Sequence, residues 1–155
     1  VNNLHMKLAE ALQERADLNA KIDELRRRLA NNATVQEGEA PAENPAELLL
    51  QFDACTARLE ELIAHINATN CVTVTERGSI TELIAKRDCL TLRLSAYRSL
   101  VDEASCLAPR ASRTEIKIVS AVDVKKLQKQ ADELAKELRI VDNLIQQSNW
   151  LTELQ

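Results

Sequence analysis

The chain of 155 residues has the length of one ordinary domain, and only 2% of its residues are aromatic. Its net charge of −4 argues against nucleic acid and against an anionic membrane as the main partner. A membrane-spanning helix needs about 20 apolar residues. The longest apolar stretches are far shorter, as at residues 48–50, so the sequence predicts no membrane partner.

The first residues have the pattern of a cloning junction, because His5-Met6 commonly precedes a natural start codon in expressed proteins. Residues 1–5 are therefore interpreted as an expression-tag remnant, and residues 6–155 as a single helical-bundle domain. No apolar signal core follows Met6, which predicts a cytoplasmic location.

The first predicted helix covers residues 6–30, because its apolar residues recur alternately three and four positions apart. Arg15 is the one charged member of this apolar stripe. Residues 31–44 then break the periodicity and contain Gly38 and Pro41. Connections between helices usually take about 2 to 8 residues, so a connection of this length indicates either disorder or a functional role.

The second predicted helix covers residues 45–68, with Asn44 as its N-cap and Glu47 completing a capping box. Residues 71–75 alternate β-branched side chains, which is typical of a short strand. Ser79 and Glu82 form a second capping box, which begins a third helix over residues 80–107.

A second strand is predicted at about residues 114–119, where β-branched residues alternate again. Ser120 or Asp123 then caps the last helix, which continues close to the end of the chain. The sequence thus predicts a mainly α fold of four long, antiparallel, coiled-coil-like helices in an elongated bundle. The two short strands should pair with each other or with a neighbouring chain, because an isolated strand leaves its backbone groups unpaired.

The sequence predicts no cofactor and no metal site. Its four cysteines are 16 to 18 residues apart, with no Cys-x-x-Cys pair, and His65 is the single histidine after Met6. A zinc site requires four ligands at close paired spacings. The cysteines are expected to be reduced thiols beside the helix cores, at positions Cys55, Cys71, Cys89 and Cys106.

Several polar positions are candidates for a functional site. Gln36, Glu37 and Glu39 lie in the long loop, where carboxylates either bind a cation or are simply solvated. Arg87 falls on the apolar stripe of the third helix beside Asp88, as a register-fixing polar layer or an anion site. The remaining candidates lie on or near the predicted strands: Asn67, Asn70, Arg113, Glu115 and Lys117.

The last helix is predicted to contact another subunit. Its final half carries a second apolar stripe that includes Leu144 and Leu151. Trp150 is the single tryptophan, and a tryptophan near a helix end is a typical interface anchor. These three residues are therefore the predicted interface of a homo-oligomer.

Five segments together resemble a bacterial family of uncharacterised helical proteins, some of which carry the label septicolysin. They are NATVQEGE at residues 32–39, INATN at 66–70, IAKRD at 84–88, TEIK at 114–117 and NW at 149–150. The resemblance implies a bacterial protein whose biochemical role is not established. It also adds weight to the polar loop and strand positions, and the label implies a haemolytic toxin.

The leading hypothesis is a cytosolic homo-oligomer with a structural or interaction role, because its helices carry continuous apolar stripes. The alternative is a small-molecule-binding or metal-binding protein, or an enzyme. Its polar site would combine the loop at residues 31–44 with the strand at residues 112–117. A pore-forming toxin is disfavoured, because a secreted pore-former needs an export signal and a membrane-inserting segment, and neither is visible.

Overall fold

The computed structural model describes residues 6–107 and 116–155. Four long helices make up most of this part of the chain: α1 (Leu8–Asn31), α2 (Pro45–Val72), α3 (Ile80–Ser105) and α4 (Val124–Leu151). Two strands of two residues each, β1 (Val74–Thr75) and β2 (Gly78–Ser79), pair as a small hairpin. The predicted class, mainly α with four long helices and two short strands, is confirmed.

The positions of the strands differ from the prediction. The first predicted strand, at residues 71–75, overlaps β1 only at its end, because Cys71 and Val72 continue the last turn of α2. The second predicted strand is wrong for residues 116–119, which are irregular and exposed, while residues 114–115 lie outside the described residues. The partner of β1 is instead β2. Only two residues separate the two strands, and closing so short a loop costs little entropy.

The caps of the helices follow from local side-chain chemistry. The side-chain carbonyl oxygen of Asn44 accepts the Ala46 N–H at 3.0 Å, as predicted for an N-cap. Glu47, however, accepts from the Asn44 side-chain amide at 3.4 Å, so the predicted capping box is incomplete. At the start of α4 the cap is Asp123, whose carboxylate accepts the Lys126 N–H at 3.0 Å.

The chain divides into two compact units. The first unit comprises the described residues up to Val74 together with Ser148–Gln155, and the second comprises Thr75–Gln147. The prediction that residues 6–155 form a single domain stays a prediction. Among the described residues, none of the helices combines the length and the apolarity that crossing a membrane requires.

In the first unit, α1 and α2 pack antiparallel: Leu25, late in α1, packs with Leu48, early in α2, whereas the start of α1 lies beside the middle of α2. Arg58 of α2 donates through Nε to Glu14 of α1 at 2.7 Å, and through Nη1 to Glu61 at 2.8 Å. These hydrogen bonds raise the pKa of Arg58 above its ordinary value, and the one to Glu14 contributes most. Several residues of the predicted stripes are buried in this unit: Leu8, Ala11, Leu25, Leu48, Cys55, Leu62 and Ile66.

The last residues of the chain close the first unit. The Leu8 N–H donates to the Thr152 carbonyl at 2.9 Å, and the Leu154 N–H donates to the Met6 carbonyl at 2.8 Å. The fully buried Thr69 hydroxyl accepts the Gln155 N–H at 3.0 Å. Backbone hydrogen bonds thus connect Thr152 and Leu154 to the beginning of α1, and the Thr69 hydroxyl connects Gln155 to the end of α2.

In the second unit, α3 and α4 also pack antiparallel. Leu83 and Leu90 of α3 form a buried cluster with Val141 and Ile145 of α4. Further apolar residues cover this cluster: Ile84, Leu134, Leu138 and Leu144. The apolar stripes predicted for α3 and α4 therefore meet as expected.

Candidate functional site

A groove of about 330 Å³ lies between α3 and α4 in the second unit. Helix α3 lines it with Lys86, Leu90, Arg93 and Tyr97, and helix α4 with Gln130, Glu133, Leu134 and Glu137. Both cations of this lining therefore belong to α3, and both carboxylates belong to α4. The groove has one positive wall, one negative wall and an apolar floor.

Helical spacing explains why these side chains share one face. Positions 86, 90, 93 and 97 are separated by four, three and four residues, which places them one above another along α3. Positions 130, 133, 134 and 137 do the same on α4. The charged residues flank the buried stripe on the side that faces solvent.

At one end of the groove the two walls are already paired. The Lys86 ammonium donates to Glu137 at 2.6 Å, and the Arg77 guanidinium donates to the same carboxylate oxygen at 3.1 Å. The hydrogen bond from Lys86, and then the one from Arg77, holds the pKa of Glu137 below its usual range. Since Arg77 lies between β1 and β2, this carboxylate also anchors the small hairpin to α4.

Toward the other end of the groove, the charged side chains are not paired within the described part of the chain. Neither Arg93 nor Glu133 forms an ion pair or a hydrogen bond with another of the residues that the structure describes, and both are exposed. Tyr97 is half-buried beside them. This end therefore presents two charges of opposite sign next to an apolar floor.

Glu137→Gln is expected to weaken the dependence of stability on pH. The lowered pKa means that Glu137 stabilises the fold fully above its unfolded-state pKa, and that this contribution is lost as the pH falls through the folded value. Urea unfolding followed by circular dichroism between about pH 6 and 3 should show a shallower loss for Glu137→Gln than for the wild type.

The matched control is Glu103→Gln, which removes an exposed carboxylate of α3 that lies outside the groove lining and pairs with none of the described residues. It should retain the pH dependence of the wild type. Other carboxyl groups with a lowered pKa, at Glu43, Glu61 and Glu82, contribute equally to all three proteins. Identical slopes for Glu137→Gln and the wild type would contradict the role assigned to this carboxylate.

The structure places the predicted loop residues on the surface of the first unit. Gln36, Glu37 and Glu39 are exposed, and the Glu39 N–H donates to the Gln36 carbonyl at 3.0 Å around Gly38. Within residues 6–107 and 116–155, no three His, Cys, Asp or Glu residues are arranged to hold a metal ion.

Asn67 and Asn70 lie on the last turns of α2, far from this loop. Asn67 is exposed and Asn70 is half-buried. At about 1.5 Å per residue along the helix, Asn67 lies roughly 35 Å from Asn44, where the loop ends. The structure therefore does not bring these asparagines together with Gln36, Glu37 and Glu39.

Arg87 and Asp88 bond to each other rather than to a buried partner. Arg87 Nε and Nη2 donate to Asp88 Oδ1 at 3.0 and 2.9 Å. The Arg87 side chain is 34% exposed and that of Asp88 62% exposed. The choice between a register-fixing polar layer and an anion site therefore stays a prediction for these two residues.

The remaining candidates are only partly described. Arg113 and Glu115 lie outside the described residues, and Lys117 is exposed in an irregular segment. The polar site of residues 31–44 and 112–117 therefore stays a prediction. Of the predicted interface residues, Trp150 and Leu151 are 65% and 69% exposed, while Leu144 packs against the buried cluster of the second unit.

The groove itself was not anticipated from the sequence, apart from three of its residues that lie on the predicted apolar stripes: Leu90, Tyr97 and Leu134. Its charged members stand beside the stripe positions, where surface charges occur in every amphipathic helix. The signal that distinguishes them is the segregation of sign, with Lys86 and Arg93 on one helix and Glu133 and Glu137 on the other. Only the pairing of α3 with α4 turns that segregation into a groove.

The fold and the groove define a helical protein of two antiparallel helix pairs without a recognisable catalytic centre among the described residues. Residues 15–154 match a family of unknown function (DUF6847), and the chain belongs to that family. No curated protein matches the sequence. The septicolysin label implied by the resemblance thus receives no support from these comparisons.

A solved structure supports the fold. The chain is similar to a functionally unknown conserved protein from Corynebacterium diphtheriae, with 40% sequence identity and a TM-score of 0.91. The match covers 98% of this chain and 100% of the other. The resemblance to an uncharacterised bacterial family of helical proteins is confirmed at that level.

Proposed function

We propose that the protein is a homo-oligomer with a structural or interaction role. The observation that carries this proposal is the exposure of large apolar side chains on regular helices. Leu49 and Leu50 are 50% and 71% exposed, and Trp150 and Leu151 are 65% and 69% exposed. Adjacent exposed apolar side chains, as at Trp150 and Leu151, contribute to the kind of apolar patch that is typical of interaction surfaces.

The packing within the first unit supports the same proposal. Between the facing stretches of α1 and α2, the buried cluster consists of Leu25, Leu48 and Cys55. The flanking residues Leu18, Ile22, Leu29 and Phe52 pack against it but remain partly exposed. Two helices alone enclose only a narrow stripe, and a further helix on the open side would bury these flanks.

Trp150 supports a specific rather than a random contact. Tryptophan buries a large area and has one N–H that needs an acceptor, which is why it recurs at the centres of interfaces. Its neighbour Leu151 extends the apolar surface at the end of α4. These two residues are the exposed part of the predicted interface.

A cytoplasmic location is part of this proposal. All four cysteines lie within the described residues and none forms a disulfide bond. Cys71, Cys89 and Cys106 are exposed, as expected for thiols in a reducing compartment.

Native mass spectrometry of the purified chain should give an integral multiple of 17.3 kDa at micromolar concentration. Sedimentation velocity over a tenfold range of concentration should give the same subunit number, because a stable interface does not dissociate on modest dilution. A single monomeric species in both measurements at 10 µM, roughly the concentration of a typical sample, would refute the proposal.

A further inference from the structure

We infer that the groove between α3 and α4 is the contact surface for the same groove of a second copy. This inference rests on the proposed homo-oligomer and assigns it a contact surface that does not include Trp150 or Leu151. The two copies would pack face to face about a two-fold axis parallel to the helices. Four helices would then enclose one apolar core, as in an antiparallel four-helix bundle.

The separation of charge between the walls makes this surface complementary to itself. A two-fold axis parallel to the helices places α3 of one copy over α4 of the other. The wall with Lys86 and Arg93 then faces the wall with Glu133 and Glu137 of the second copy. Each interface therefore contains the favourable contact twice, once on each side of the axis.

The same charges disfavour the other face-to-face arrangement. A two-fold axis perpendicular to the helices, in the plane between the copies, would place α3 over α3 and α4 over α4. Arg93 would then meet cations and Glu133 would meet carboxylates, and like charges in an interface are repulsive. The wall pattern thus selects one orientation of the second copy.

The heights of the charged residues agree with the selected orientation. Lys86 and Glu137 lie at one level, since they form an ion pair at 2.6 Å. From that level Arg93 is about 10 Å along α3, and Glu133 is about 6 Å along α4 in the same direction. A guanidinium on its long side chain spans the remaining offset of about 4 Å, so Arg93 reaches Glu133 of the second copy.

The floor of the groove supplies the apolar part of the contact. Leu90 is nearly buried, whereas Leu134 and Tyr97 are half-buried and would lose their remaining exposure against a second copy. Two helices, each about 10 Å wide over about 30 Å of shared length, present roughly 600 Å² in projection. That approaches the roughly 800 Å² per partner of a standard stable interface.

The test exchanges the signs of the two open charges. Arg93→Glu places carboxylates on both walls, and Glu133→Arg places cations on both walls. Each variant alone should self-associate at least about tenfold more weakly than the wild type, because like charges then face each other. An equimolar mixture, with one variant carrying a mass tag, should form the mixed dimer in native mass spectrometry.

The mixture is decisive because the two variants complement each other only across an interface. The chain that carries both substitutions should also regain self-association. Arg98→Glu, at an exposed position of α3 outside the groove lining, makes the same charge change and should leave association unchanged. Circular dichroism of every variant verifies that the helices are retained.

The outcomes separate this inference from the proposal on which it rests. A monomeric wild type would refute the homo-oligomer itself. An oligomeric wild type whose association survives Arg93→Glu, or single variants that weaken it but whose mixture forms no mixed dimer, would overturn the groove as the interface. In that case the homo-oligomer would stand on another surface.

Discussion

Leu83→Ala is expected to lower the free energy of unfolding by about 2–5 kcal/mol. Leu83 is 1% exposed and packs with Leu90, Val141 and Ile145 in the buried cluster of the second unit. Truncation removes apolar contacts and leaves a cavity that two straight helices cannot easily collapse. Urea unfolding followed by circular dichroism measures the loss, at one fixed protein concentration, since association contributes to apparent stability.

Leu92→Ala is the matched control for this experiment. It removes the same atoms from the same helix, but Leu92 is 72% exposed on a face of α3 that does not line the groove. The expected change is within about 0.5 kcal/mol, as for most surface substitutions. Equal losses for the two variants would mean that the cluster around Leu83 does not stabilise the second unit as described.

The helices were predictable because their stability depends on a repeated local pattern. The spacing of Leu83, Leu90 and Leu94 identifies one apolar side of α3, and the structure buries all three. The capping box of Ser79 and Glu82 was equally readable: the Ser79 N–H donates to Glu82 at 2.8 Å. In both cases the partners are separated by a few residues, so sequence spacing fixes the geometry.

The strands were less predictable because pairing requires a partner that the pattern does not specify. Residues 116–119 alternate as a strand does, yet they remain exposed and unpaired with any described strand. Gly78 and Ser79 have no strand-like composition but pair with β1 because they lie two residues away. Proximity along the chain thus outweighed β-branched composition.

The candidate groove required knowledge of which helices are neighbours. Arg87 was singled out because it lies on the apolar stripe of α3. Arg93 lies beside that stripe, where charged residues are usual on an amphipathic helix. The structure exposes a third of the Arg87 side chain and pairs it with Asp88. The residues that share a site, Arg93 and Glu133, are 40 positions apart in sequence, which no local pattern connects.

Gly78→Ala is expected to destabilise the fold by about 2–4 kcal/mol. Gly78 has φ +121°, a conformation that strains any residue with a Cβ by roughly 1–3 kcal/mol. An added Cβ would also lie 2.7 Å from Glu82 Oε2. That oxygen accepts hydrogen bonds from the Ser79 N–H and hydroxyl, so moving it aside sacrifices the cap of α3, worth about 1 kcal/mol.

Gly38→Ala separates the two causes. Gly38 also has a positive φ, at +87°, but a Cβ there would meet nothing within 4 Å. Its substitution should cost only the backbone strain, about 1–2 kcal/mol, and therefore less than Gly78→Ala. In a Glu82→Ala background the collision is absent, so the additional loss caused by Gly78→Ala should shrink to the backbone strain alone, roughly 1–3 kcal/mol. If the loss stays as large without the Glu82 carboxylate, the strain lies in the backbone alone, and the close contact between the hairpin and the helix cap contributes nothing.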